Sequence, residues 1–402
     1  MRAISSWFNG DMRMSWSSKA PATAGEVFGL IRDGAATTRA EVGRLTGLSR
    51  TAVAARVAAL QARGLILERA EAPSTGGRPP ARLVFNADAG VVLAAAIGRS
   101  RTQLGVCSLA GKVLTMADVD QEVGIGPDEL MPDIAKRLEA LLDETGRRLD
   151  EVLGVGLSIP GTADTTRGCS LDSPTMSGWD GIPLPPYLRE LTGAPILLDN
   201  DANVIVLSER RGQRDRFDDM LLIKASTGLG AGIVAGGVLQ RGANGGAGEF
   251  GHTKIPAAAG VACRCGDTGC LEAIAGGWAL VRTMQQQGHG VGHIRDLVDL
   301  ALGGDPEARR LIRESGRHIG EVLAGAVNLL NPEALVIAGD MSKAYDILVA
   351  GLRETVYGNA TALATRELHI LPSTHGDQSS VIGSAAMILD HVLSAREIDS
   401  AL

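Results

Sequence analysis

Eight residues, Cys263-Arg264-Cys265-Gly266-Asp267-Thr268-Gly269-Cys270, hold three of the chain's five cysteines. Thiolates this close repel one another unless a cation neutralises them, and glycines at 266 and 269 suit a loop that must turn tightly. His252, eleven residues before Cys263, is the nearest candidate for a fourth ligand, and Cys₃His is a closed tetrahedral zinc set. Four protein ligands would make the zinc structural, leaving no open position for an activated water. A disulfide between Cys263 and Cys265 is sterically poor, and free loop thiols are the plain alternative. Cys107 and Cys169 read as buried small apolar residues, and His289 and His293 as surface positions in a Gly-rich loop.

Other polar residues collect in loops. Ser158-Ile159-Pro160-Gly161-Thr162, Asp199-Asn200-Asp201-Ala202-Asn203 and Ser226-Thr227-Gly228-Leu229-Gly230-Ala231-Gly232 each follow a strand-like run, and Gly248-Glu249-Phe250-Gly251-His252 leads through the cysteines to Glu272. The third is expected to be a loop laying backbone N–H groups around phosphates or hydroxyls. Carboxylates, an amide and an imidazole together suit a polyhydroxylated ligand, since one carboxylate can accept from two adjacent hydroxyls. Taken singly, an Asp beside a helix start is a cap and a Gly-rich loop is a turn.

These loops need a scaffold. Strand patterns fall at 91–97, 104–109, 113–119, 152–158, 196–198, 220–224 and 335–338, with helices at 132–145, 203–212 and 309–330. The expected architecture is α/β, with ligands bound at strand ends.

The stretch before it differs. Residues 21–87 give three short helical patterns. Thr38 with Glu41 is a capping-box signal, Gly47 supplies a turn, and Ser49 caps a third helix with Val53, Val57 and Leu60 inward. That is a helix-turn-helix layout, with Ser49, Arg50, Thr51 and Arg56 expected on the face presented to DNA. Strand patterns around Gly76-Gly77-Arg78-Pro79-Pro80 suggest a β-wing with Arg78 at its tip. Charge agrees: residues 1–87 carry 12 Lys+Arg against 6 Asp+Glu, whereas the whole chain has a net charge of −7. A basic module on an acidic body fits a partner of double-stranded DNA at one end only.

At 402 residues the chain has room for two or three domains. No apolar run reaches the roughly 18 residues of a membrane span. Residues 1–20 read as a disordered tail rather than a signal peptide, so a cytoplasmic protein is expected, with residues 88–402 as the body and 252–270 as its zinc loop.

With Glu249-Phe250-Gly251-His252, the cysteine run and Glu272 in order, the chain resembles the ROK family of repressors, uncharacterised reading frames and sugar kinases. The resemblance implies a body of two actin-like, ribonuclease-H-like α/β lobes. It implies zinc on His252, Cys263, Cys265 and Cys270, and a sugar pocket lined by Asn200, Asp201, Glu249, His252 and Glu272. The residue matching Asp201 is the catalytic base of kinase members. It further implies a homodimer or homotetramer whose sugar binding weakens operator binding. The kinase pattern itself is broken. Ala96-Ile97-Gly98-Arg99-Ser100 replaces the Asp-x-Gly-Gly-Thr phosphate loop, Asp340 enters a second nucleotide-side loop, and Pro174-Thr175-Met176-Ser177-Gly178-Trp179 lacks the amide of the Pro-Asn that often precedes Gly-Trp. Phosphoryl transfer depends on positioning and neutralising phosphates, so the expectation is a sugar-sensing repressor rather than a sugar kinase.

Overall fold

The computed structural model describes residues 21–69, 81–121, 124–171, 176, 178–212 and 217–402. It divides into an amino-terminal unit, joined by Ser394–Leu402, and a body of Ala87–Leu393. Residues 394–402, expected in the body, belong with the amino-terminal unit instead.

In the smaller unit, helices Ala24–Arg32, Arg39–Thr46 and Arg50–Ala62 precede strands Ile66–Arg69 and Arg82–Phe85, which pair antiparallel. Each helix start is made by its own side chains. Thr23 with Glu26 and Thr38 with Glu41 form capping boxes, and the Ser49 hydroxyl accepts from the Ala52 N–H. Gly47 ends the second helix at φ 72°, a left-handed conformation that glycine adopts without strain. Val27, Phe28, Val42, Val57 and Leu60 are buried between the helices and the strands. Helix Ala395–Ala401 completes the unit: Asp399 accepts from the Gly25 N–H at 2.8 Å, and a Cβ at Gly25 would lie 2.1 Å from the Ala395 carbonyl oxygen. Only glycine admits that approach.

The body contains one strand pattern twice. The first sheet runs Val113–Asp120, Arg101–Ser108, Val91–Ile97, Val152–Ile159, Ile196–Asn200. The second runs Val238–Leu239, Leu229–Ala235, Met220–Ala225, Ala334–Ala338, His369–Pro372. In each, three strands are antiparallel and the last two join in parallel. Strand Val91–Ile97 is buried throughout, as a central strand covered on both faces must be. Helices Asp201–Gly212 and Ser379–Val392 cross with almost no space between backbones: a Cβ on Gly383 would meet the Val204 carbonyl at 1.8 Å. Helix Ser379–Val392 also lies against strand Val152–Ile159, where a Cβ on Gly156 would meet the Ser384 carbonyl at 2.0 Å.

Two expectations need correcting. The Gly-rich run after Ser226 is a turn only as far as Gly228, and Leu229–Ala235 is a strand. Its glycines serve packing, since a Cβ on Gly232 would lie 2.6 Å from the Ala202 carbonyl oxygen. The helix placed at 132–145 begins at Pro127 and carries Pro132 inside it. Burial of Leu130 and Met131 against the first sheet's core overrides that proline's local cost.

Candidate functional site

The body holds a cavity of about 230 Å³ lined by the ends of both sheets and the loops between them. Asn200, Asp201, Glu249, His252 and Glu272 all line it, with Arg99, Lys224 and His293. The sequence-derived pocket residues therefore do come together, but the contacts of several differ from the expectation.

Asn200 is committed to structure. Its amide N–H donates to the Gly161 carbonyl at 2.8 Å, while its side-chain oxygen accepts from the N–H groups of Ala202 and Asn203 and so caps helix Asp201–Gly212. Glu272 is only 6% exposed, and both carboxylate oxygens have protein donors, Leu229 N–H at 2.8 Å and Trp278 Nε1–H at 3.0 Å. Trp278 in turn carries Arg264 and Arg282 over its ring, their guanidinium carbons 4.6 and 4.8 Å from its centre. Asp201 accepts a hydrogen bond from the Lys224 ammonium. Nothing in the sequence joined these two residues, which lie on different elements of the fold. Buried Asp199, passed over as loop, accepts from Arg241 Nε at 2.7 Å and Asn203 Nδ2 at 2.8 Å, bracing the start of the same helix. His293 is not a surface residue. Half-buried on the cavity wall, it caps helix Ile294–Leu302 by accepting from the Arg295 N–H. His289 is exposed, as expected.

Glu249 is the most open carboxylate of the set. Its surroundings push its carboxyl above the usual range, chiefly by burial against the cavity wall and then by the nearby Asp201 and Glu272 charges; His252 opposes the shift. His252 links two regions: Nε2 lies 3.8 Å from Glu249 Oε2, and Nδ1 lies 3.8 Å from Cys263 Sγ.

Behind His252 the cysteines converge. One ligand atom from each of His252, Cys263, Cys265 and Cys270 lies within 4.8 Å of the others. Cys263 N–H donates to the Asp267 carbonyl, Gly266 N–H to that of Cys263, and Gly269 N–H to that of Val261, so the loop folds back on itself. Gly266 and Gly269, at φ 89° and 82°, make both turns. A tetrahedral ion bonded at about 2.3 Å sets two thiolates roughly 3.75 Å apart. Cys265 Sγ and Cys270 Sγ are 3.7 Å apart, and Lys254 Nζ points at the latter from 3.2 Å. The donor set can hold a metal ion. Cys107 and Cys169 are buried elsewhere, and burial pushes the Cys107 thiol up to about 12.

On the smaller unit, Ser49, Arg50 and Thr51 are exposed at the start of helix Arg50–Ala62, alongside Ala54 and Ala58. Arg56 departs from the expectation. It is part-buried, donating from Nε to the Ala22 carbonyl at 2.5 Å and from Nη1 to the Ala52 carbonyl at 3.3 Å, so it ties this helix to the chain before the first one. The wing tip with Arg78, residues 1–20, Thr175 and Ser177 lie outside the described residues. Met176 and Trp179, from the same loop, are buried in the first lobe's core, where Trp179 Nε1 donates to the Ile125 carbonyl.

The ROK family model matches residues 92–391. The chain belongs to the ROK family. Among its relatives, a xylose repressor of Caldicellulosiruptor bescii is 28% identical, over 91% of this chain and 95% of that protein. A glucokinase of Halalkalibacterium halodurans is 29% identical, over 73% of this chain and 93% of the enzyme. The crystal structure of a ROK family transcriptional regulator, a homologue of the E. coli Mlc protein, superimposes with a TM-score of 0.77 at 26% identity, covering 93% of this chain and 96% of that one. Regulators thus align over nearly the whole chain and the kinase over about three-quarters of it.

Proposed function

We propose that this ROK protein is a DNA-binding transcriptional repressor whose kinase-like body binds a sugar or sugar derivative in the cleft between its lobes. The observation that carries the reading is the joining of a winged helix-turn-helix unit to that body, with full-length similarity to repressors. Ser49, Arg50 and Thr51 would meet base edges and phosphates in the major groove, and Arg78 the minor groove. A ligand can shift operator binding only if it binds two conformations with different affinity, and a cleft between lobes is suited to that.

The cleft favours binding over catalysis. Lys224 occupies Asp201, the position of the kinase base, while Arg99 stands in the turn where a phosphate loop would need glycine. Asp340, bonded to Ser226, adds negative charge on the nucleotide side. His252, Cys263, Cys265 and Cys270 would hold a structural zinc ion, which neutralises the thiolates. The protein's own contribution is to aim His252 Nε2 at Glu249 and to fix the loop leading to Glu272. On this reading the protein acts in the cytoplasm as a homodimer or homotetramer, so that two recognition helices meet successive major grooves. Leu329 and Leu363, 86% and 76% exposed, offer apolar surface to a second copy. No helix among the described residues is long and apolar enough to cross a membrane.

A mobility-shift titration against the gene's own upstream DNA, at low and moderate salt, tests the proposal. Salt-sensitive binding that weakens on Arg50→Ala supports it; no binding to that DNA overturns it. ADP release over a sugar panel, abolished by Asp201→Asn, would instead establish a kinase.

A further inference from the structure

The turn Gly98-Arg99-Ser100 joins two antiparallel strands and is held from all sides. Gly98 N–H donates to the Arg101 carbonyl at 2.9 Å, and a Cβ there would come within 2.5 Å of that oxygen. Gln121 closes the frame: its side chain donates to the Gly98 carbonyl at 2.9 Å, its backbone N–H to that of Ser100 at 3.0 Å, and its amide oxygen accepts from Thr102. The backbone that presents Arg99 is therefore fixed before any ligand arrives.

Among the described residues the Arg99 guanidinium has no hydrogen-bond or ion-pair partner, and its Nε is buried. Every other charged side chain on the cavity wall is engaged. Lys224 pairs with Asp201, Arg101 with Asp118, Arg295 with Asp120, and Asp377 with Lys343. Asp340 accepts from Ser226, Glu272 from Trp278 and Leu229, and Glu249 from Thr162. Burial lowers the Arg99 pKa and the charge of Glu272 raises it, but a guanidinium stays cationic throughout. Arg99 is half-buried, but a buried guanidinium nitrogen with no acceptor is costly, and the planar fork matches the two oxygens of a carboxylate or phosphate.

We propose that the cleft takes a sugar derivative bearing an anionic group, a phosphate ester or a carboxylate, and that Arg99 binds that group. This deepens the effector-site reading above and rests on it. Glu249 and His252 then meet the hydroxyls while Arg99 selects the charge, so neutral sugars are the poorer ligands.

Calorimetry on the full chain tests this. Glucose, xylose and N-acetylglucosamine are compared with their terminal phosphate esters, glucuronate and galacturonate serve as carboxylates, and inorganic phosphate is the minimal anion. The expected result is that anionic forms bind on the order of ten- to a hundredfold more tightly than their neutral parents, or that phosphate alone binds. Arg99→Ala should erase the preference and Arg99→Lys keep part of it, since a lysine retains the charge without the fork. The phosphate and carboxylate arms identify which anion is taken. Equal affinity for neutral and anionic forms, a preference untouched by Arg99→Ala, or no anion binding at all would overturn the inference. Mobility shifts on the same samples separate the two ideas. Specific DNA binding with no anion bound sinks this inference alone, and Arg99-dependent anion binding without DNA binding sinks the repressor reading.

Discussion

Two parts of the cleft wall present side chains to the same cavity, the metal loop ending at Glu272 and the turn at Arg99, and they do it in opposite ways. Glu272 has a protein donor on each oxygen, and Trp278, which supplies one, is itself packed by two arginines. His252 is aligned between Glu249 and the cysteines. Arg99 has a backbone fixed by hydrogen bonds and, among the described residues, a head without a partner. A side chain whose bonds are already satisfied shapes a pocket; one left unsatisfied on a fixed support is complete only with a ligand.

The contrast can be broken most forcefully at the metal. Cys265→Ser with Cys270→Ser should abolish zinc uptake, measured by plasma mass spectrometry, and cost more than about 4 kcal/mol of stability, the class of effect that losing a metal produces. An unchanged melting curve and ligand response would mean that the loop stands without its ion, leaving the wall no more pre-built than the turn. Next comes Trp278→Phe, which keeps an aromatic face for Arg264 and Arg282 but removes the donor to buried Glu272. Chemical denaturation should register a loss of about 1–3 kcal/mol. A neutral result would show that Glu272 does not depend on that donor.

The smallest effect concerns His293. Burial, then the Arg295 charge, holds its pKa below the usual value, against the pull of Asp340, Asp296 and Asp120. The unfolded chain thus takes up a proton there more readily than the native one. Stability from this group is present above about pH 6.5 and is lost as pH falls through the lower native value. His293→Asn retains a capping acceptor and should flatten that part of the melting-temperature profile. An equally steep fall in the variant would assign the pH sensitivity to other groups.

Legibility in the sequence followed the range of the interaction. Thr38 with Glu41, Gly47 and Ser49 announced the helix-turn-helix because each acts on backbone within a few residues. The cysteine run likewise carried its loop geometry in its own spacing. Partners distant in the chain were invisible. Arg56 looked like a DNA contact because periodicity tells which face a residue lies on, not that Ala22 waits there with a carbonyl. Leu229–Ala235 read as a loop because its glycines answer to Ala202, on another element. Glu272 and Asn200 do line the cavity, but their protein partners could not be read from type and spacing.

Helix Ala395–Ala401 has a consequence for synthesis. The unit that begins at residue 21 keeps an open seat on its first helix, around Gly25 and its N–H, which Asp399 and the Ala395 backbone fill only after the entire body has emerged from the ribosome. A nascent chain therefore carries an unfinished version of that unit for most of its translation. Premature termination within the body would leave that unit without its last helix.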